Sequence, residues 1–325
     1  MPKSAGASVP VGDVMQWVRP FAPALLLLIL VAGITCAEPG FASLTTLSVV
    51  VADASILFVL AAGMTFVIML GGIDLSVQAA ASFSSMILAE LLPQLGYAAF
   101  PVAVFVGLLV GLGSGLVHVK LSISSFIATL ATAGIMVGLS LLMADGQTVS
   151  LLEAGRQQSE WITGAWLFGV PNAALIAALV AALGMLLQRY TRFGRYSTAI
   201  GAGERAARAA GISVDRYKIL AFGLSGACAA LAGVLLAARL SSGSPDLANQ
   251  LLLPTIAAVV VGGTAITGGV GNIGRTMVGT LIVSVVRIGM TFVGINIFAQ
   301  QLVFGAALVL AVFVTIDRSK IAIIK

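Results

Sequence analysis

The chain has 325 residues, of which 59% are hydrophobic and only 9% charged, with a formal net charge of +5. A water-soluble domain carries about a quarter charged residues, so this composition, with a mean hydropathy of +1.11, excludes a compact water-facing surface and places the chain in lipid. The apolar blocks run for roughly 17–25 residues, the length of a spanning helix; a barrel would alternate over about ten, so the fold class is all-α.

In chain order, Lys3 and Arg19 precede a first apolar run from Phe21 to Ile34. Cys36-Ala37-Glu38-Pro39 is not a small-x-small cleavage site, so the run reads as a first membrane helix rather than a leader. About ten spans follow one another: 20–36, 45–69, 75–92, 98–118, 124–143, 173–189, 218–238, 251–267, 276–295 and 298–316. The organisation expected is a cytoplasmic segment 1–19, a transmembrane domain 20–317 and a cytoplasmic tail 318–325. Two connections are long, an outer loop at 145–172 and an inner loop at 189–217.

With both termini in the cytoplasm, fourteen of the seventeen Lys and Arg fall inside, only Arg156 and Arg239 fall outside, and Arg287 stays within a span. That is a positive-inside distribution. It accounts for the basic balance without a nucleic-acid partner. By this topology a cysteine at Ser159 labels from outside and one at Ser197 does not.

The eighth span dissolves into Gly262-Gly263-Thr264-Ala265-Ile266-Thr267-Gly268-Gly269, and Gly71-Gly72 closes the second. Broken helices mark transport paths, and glycines also serve close helix packing. Gly269-Val-Gly-Asn-Ile-Gly274-Arg275-Thr276 satisfies a nucleotide-loop spacing, but such loops need a preceding strand in an α/β unit. Here the flanks are membrane spans, so any ATPase is a separate chain. His118 has no cluster around it and Cys36 and Cys228 sit in different blocks, so neither a metal site nor a disulfide is expected.

Glu204-Arg-Ala-Ala-Arg-Ala-Ala-Gly211 in the inner loop is helix-prone, with Gly211 as its stop. Its alanines offer a surface of small side chains, and Arg205 and Arg208, three apart, share one face. Glu204, Arg205, Ala207, Arg208 and Gly211 are therefore candidates for coupling to a soluble partner. Arg287 lies inside the ninth span with Asp53 of the second as candidate partner. Asp74 is placed to cap the third helix. Gly71, Gly72, Asp74, Gly262, Gly263, Thr264 and Arg287 make up the candidate path.

The stretch Gly63-Met-Thr-Phe-Val-Ile-Met-Leu-Gly-Gly-Ile-Asp-Leu-Ser-Val77 resembles the signature of ribose-type ABC permeases, relatives of the branched-chain amino acid permeases. Ser125-Phe-Ile-Ala-Thr-Leu130 is similar to the start of that family's fifth helix. Phe193 to Gly201, continuing through Gly211-Ile212, resembles its cytoplasmic coupling segment, and Gly262 to Gly271 its late glycine motif. The chain departs from the family's usual residues at Gln78, Ser114 and Val270, which bears on the solute. The resemblance implies a permease without catalytic residues or cofactor, paired with a second copy or a paralogue in the bacterial inner membrane among membrane lipid. It also implies ABC ATPase subunits on the cytoplasmic face and a periplasmic solute-binding protein. A branched-chain amino acid permease is the alternative within the class. An ion-coupled secondary transporter would need intramembrane acids, for which Asp53 stands alone, and a channel would need a filter motif.

Overall fold

The computed structural model describes residues 22–166 and 169–315. Most of them are helical. The helices are α1 (Ala22–Ala37), α2 (Leu44–Met69), α3 (Val77–Leu95), α4 (Ala99–Lys120), α5 (Ser125–Met143), α6 (Glu153–Thr163), α7 (Asn172–Tyr190), α8 (Arg192–Ala202), α9 (Glu204–Ala209), α10 (Val214–Leu240), α11 (Leu252–Val261), α12 (Ile273–Phe292) and α13 (Ile297–Thr315). Residues 1–21 and 316–325, which include the expected terminal segments, lie outside the described residues.

Among the described residues, six helical segments are long and apolar enough to cross a membrane by length and composition: Leu44–Met69, Val77–Lys120, Ser125–Met143, Asn172–Tyr190, Val214–Leu240 and Ile273–Phe292. The second of these is a pair. Gly96, at φ +54°, lets the chain turn between α3 and α4, which then pack on each other. The chain is thus an all-α polytopic membrane fold, with a two-residue ribbon among the described residues that pairs Val149 with Gly243 and Ser150 with Ser242.

α10 is the central post, packed on α4, α3 and α2. Lipid tails are as apolar as leucine, so helices in a bilayer associate by close packing and hydrogen bonds. α10 does this with small residues. A Cβ on Gly226 would lie 2.3 Å from Gly107 O, one on Gly111 would lie 2.2 Å from Phe222 O, and one on Gly233 would lie 2.0 Å from Ala81 O. Only bare backbone fits there. α2 is buried on every side from Asp53 to Met69, the burial expected of a helix apolar all round.

α11 is shorter than its span predicted. It stops at Val261, where Gly262 touches α12: a Cβ there would lie 2.8 Å from Arg275 O. The chain then runs as non-helical backbone through 262–272, with Gly263, Gly268 and Gly269 at positive φ. The loop 145–172 holds an unforeseen helix, α6, whose Ile162 is buried and whose Trp161 stacks edge-on with Phe100 at 5.3 Å. Ser159 is also buried, as is Ser197 in α8, so neither suits a labelling test of topology.

Candidate functional site

Segment 70–76, between α2 and α3, is the hub where the separated motifs meet. Gly71 takes φ +80°, turning the chain out of α2. The Ile73 N–H donates to Ser125 Oγ at 3.1 Å and the Leu75 N–H to Thr129 Oγ1 at 3.1 Å, so the first turns of α5 hold the segment from one side. From the other side it is held by α10: the Ser225 hydroxyl donates to Asp74 Oδ2 at 2.7 Å. Asp74 Oδ1 accepts from the Ser76 N–H at 2.9 Å and from its hydroxyl at 2.5 Å.

Asp74 does not cap α3 as expected. Ser76 is the N-terminal flanking residue, and the Asp74 carboxylate is spent on Ser76 and on a helix 151 residues away. It is only 1% exposed. Burial raises its pKa above the ordinary value, and the hydrogen bonds from Ser76 and Ser225 oppose that rise.

The late glycine motif and α8 close on the same place. Met69 O, at the end of α2, accepts the Gly269 N–H at 2.9 Å. A Cβ on Gly201 of α8 would lie 1.8 Å from Met69 O and 2.3 Å from Gly269 N, and one on Gly268 would lie 2.9 Å from Gly71 N. Three backbones converge because each brings a glycine. The nucleotide-like spacing thus serves packing: helix α11 precedes it, and its Gly269 amide is committed to Met69. Gln188, which sequence reasoning passed over, completes the junction. Its Nε2 donates to Gly271 O at 2.7 Å and its Oε1 accepts the Ile273 N–H at 3.1 Å. The signal for it was a lone amide in the last turn of an apolar span.

Of the predicted path residues, Gly71, Gly72 and Asp74 lie in the hub and Gly262, Gly263 and Thr264 on the adjoining glycine segment. Thr264 is 1% exposed, with its hydroxyl lacking a partner. Arg287 is elsewhere, fourteen residues or about 21 Å along α12 from its start. It pairs with Asp53, the candidate partner, at 3.3 Å, and the Ser284 hydroxyl donates to the same carboxylate at 2.7 Å.

α9 forms as expected, and Gly211, at φ +81°, ends it. The Ile212 N–H bonds Ala207 O and the Gly211 N–H bonds Arg208 O, both at 3.0 Å, which is the Schellman pattern. Two expectations change. Ala207 is buried against its own chain, so it offers no surface to a partner and a bulky residue there strikes the permease interior. Arg208 is taken up internally, by Glu204 at 3.1 Å and by Asp215. Arg205, Ala206, Arg208, Ala209 and Ala210 are the exposed members. Lys218 of α10, with only 16% of its side chain exposed, donates to Glu204 at 2.7 Å. That hydrogen bond lowers the Glu204 pKa. Between α9 and the hub lies a cavity of about 240 Å³, lined by Gly71, Gly72, His118, Ser125, Glu204 and Lys218 among others.

Comparison with known proteins identifies the architecture. A family model described as branched-chain amino acid transport system / permease component matches residues 46–312. The chain is 38% identical to a probable ABC transporter permease protein, YphD, of Escherichia coli, over 86% of this chain and 83% of that one. It is 36% identical to the ribose import permease protein RbsC of Bacillus subtilis, over 95% of each. It is 36% identical to the L-arabinose transport system permease protein AraH of Escherichia coli, over 91% of this chain and 90% of that one. The stretches that meet around segment 70–76 are those that carried the resemblance in the sequence, and the chain belongs to the ribose-type branch of the ABC transporter permeases, as a multi-pass protein of the inner membrane.

Proposed function

We propose that the chain, with a second copy or a paralogue, forms the translocation path of an importer for a sugar or sugar-like solute. A periplasmic binding protein delivers the solute to the outer face, and separate ATPase subunits drive the cycle from the inner face. The observation that carries this reading is the junction of α8, the 262–272 segment and 70–76, because it joins a basic loop directly to the backbone between spans. The ribose and arabinose permeases among its relatives support a sugar over a branched-chain amino acid.

The topology follows from the same reading. α1–α5, α7, α10, α11, α12 and α13 are the ten spans, with both termini cytoplasmic. They fill the domain 20–317, between a cytoplasmic segment 1–19 and a tail 318–325. The 189–217 loop docks the ATPase through α9, with Arg205 and the exposed alanines forward, Gly211 setting the exit of the chain, and Glu204, Ala207 and Arg208 holding the helix from behind. Gly71, Gly72, Asp74, Gly262, Gly263 and Thr264 border the inner end of the path, and Arg287 braces α12 against α2.

Reconstitution tests this. Proteoliposomes holding the permease, its ATPase and the binding protein take up labelled ribose or arabinose only with ATP. Uptake driven by a proton or sodium gradient without ATP refutes the importer. For topology, in a Cys36→Ser background, the exposed Gln157→Cys labels from outside with an impermeant thiol reagent and the exposed Thr198→Cys does not.

A further inference from the structure

We propose that Asp74 is a positioning residue through which α10 holds and moves segment 70–76, so that motion of α9 reaches the inner end of the path. This rests on the importer reading above and names the element that reading leaves unassigned: the link between the coupling loop and the spans.

The link is one face of α10. Lys218, Phe222 and Ser225 are four and three residues apart, the spacing that stacks side chains on one side of a helix. Lys218 holds α9 through Glu204 at 2.7 Å. Phe222 lies beside the hub, its ring 3.6 Å from where a Cβ on Gly72 would stand. Ser225 holds segment 70–76 through Asp74 at 2.7 Å. The post between these contacts is stiff, because α10 meets α4 backbone to backbone at Gly111 and Gly226. A displacement of α9 is therefore carried as a rigid-body shift of α10 together with α4 and delivered at Ser225.

The receiving end is built to move. The 240 Å³ cavity lies against Gly71 and Gly72 on the side of the segment that faces Glu204 and Lys218. Gly71 and Gly72 carry no side chain to block rotation at the mouth of the segment, and their amide bonds to Ile68 O at 2.9 Å and Val67 O at 3.0 Å are the ones such a rotation remakes. Ser125 and Thr129 accept amides of the segment from α5, so a pull by α10 works against a fixed opposite anchor. Among the described residues, no cation pairs with Asp74. A buried carboxylate held only by hydroxyls and an amide is costly to the fold, and hydroxyl bonds can be remade in a second position where a fixed ion pair resists.

The test uses the permease with its ATPase bound. Hydrogen exchange across 70–76, with and without ATP, reads motion of the segment independently of any solute. Labelled ribose and arabinose read uptake per ATP hydrolysed. In the wild type, ATP changes exchange across 70–76. Asp74→Ala and Ser225→Ala abolish that change and lower uptake per ATP about tenfold, the size expected for losing a hydrogen bond to a charged group, while the ATPase still co-purifies. Asp74→Asn, which keeps an acceptor for Ser225, recovers most of both. Combining Asp74→Ala with Glu204→Gln gives no further fall, because both cut one link.

A wild type in which ATP leaves 70–76 unchanged overturns the proposal, as does Asp74→Ala with a normal ATP response and normal uptake per ATP. If Asp74→Ala does not fold, Ser225→Ala decides alone. A wild type that responds to ATP but takes up neither sugar retains the link and refutes the sugar assignment. Failure of the ATPase to co-purify with the wild type refutes both.

Discussion

α10 makes two contacts of opposite kinds. Toward α4 it presents glycines so close to the neighbouring backbone that no side chain fits. Toward α9 it presents Asp215 and Lys218, which pair with Arg208 and Glu204 of that helix; Glu204, Arg208 and Asp215 are each about half exposed. The first contact cannot slide without separating, because small-residue packing has no slack. The second rearranges cheaply, because exposed ion pairs are worth roughly 0–1 kcal/mol. A transporter driven from outside needs both kinds, a stiff member and an adjustable attachment to what pushes it.

The largest expected effect breaks the stiff contact. Gly226→Leu pushes a side chain into the Gly107 carbonyl and should abolish monodisperse protein in detergent. Gly113→Leu, on the same helix α4 but with nothing within 4 Å of its would-be Cβ, should leave the yield unchanged. Equal yields would show that α4 and α10 are not locked by their glycines.

Next comes Arg287→Ala. It leaves Asp53 in a largely buried site without its cation, at a cost of about 3 kcal/mol. Adding Asp53→Ala removes the stranded charge, so the double variant should melt above the single one. Additive losses would dissolve the pair. Gly201→Ala follows, with a Cβ 1.8 Å from Met69 O. Overpacking of this kind costs about 1–3 kcal/mol, and ATP-driven uptake should fall further than thermal stability does.

The smallest effect belongs to the adjustable side. Glu204→Gln should lower the melting temperature only slightly. The Lys218 hydrogen bond lowers the Glu204 pKa, so the folded state favours the charged form. Its contribution is therefore present at neutral pH and disappears as pH falls through the lowered folded value. The difference between wild type and Glu204→Gln should stay flat from about pH 7 to about pH 5 and vanish only below the usual carboxylate range. A difference that closes nearer neutrality would mean that Lys218 does not hold the carboxylate.

Much of this was legible in the residues. The long apolar runs fixed where the helices lie, because span length follows from bilayer thickness. That Arg287 calls for an acidic partner, with Asp53 as the candidate, followed from the cost of lone intramembrane charge, and the Gly211 stop from its freedom at positive φ. The convergence on segment 70–76 was legible only as resemblance: nothing in local spacing says that Ser225 reaches Asp74, 151 residues away. Ala207 was placed on the outer face because a six-residue helix shows its periodicity too briefly to tell its inner from its outer side. α6 escaped notice for a related reason, since its eleven residues are mostly polar and only Ile162 and Ser159 are buried. The end of α11 was overshot because hydropathy continues through Ala265 and Ile266 while the backbone has already left the helix.

That early end of α11 bears on how the protein is made. Ten residues of helix reach about 15 Å, half of a hydrocarbon core of about 30 Å, and beyond Thr264, whose N–H still bonds Val259 O, the backbone takes its partners from outside the helix. A segment emerging from the ribosome in this form cannot partition into lipid alone. Its polar backbone finds partners on helices made earlier, the Gly269 N–H on Met69 O of α2 and the Gly271 carbonyl on Gln188 of α7, and Gly279 of α12 then seats against Ala258 O, a contact that would put a Cβ at 2.1 Å. α11 is therefore expected to enter the bilayer against α2 and α7, which are already made and hold the partners of its non-helical exit.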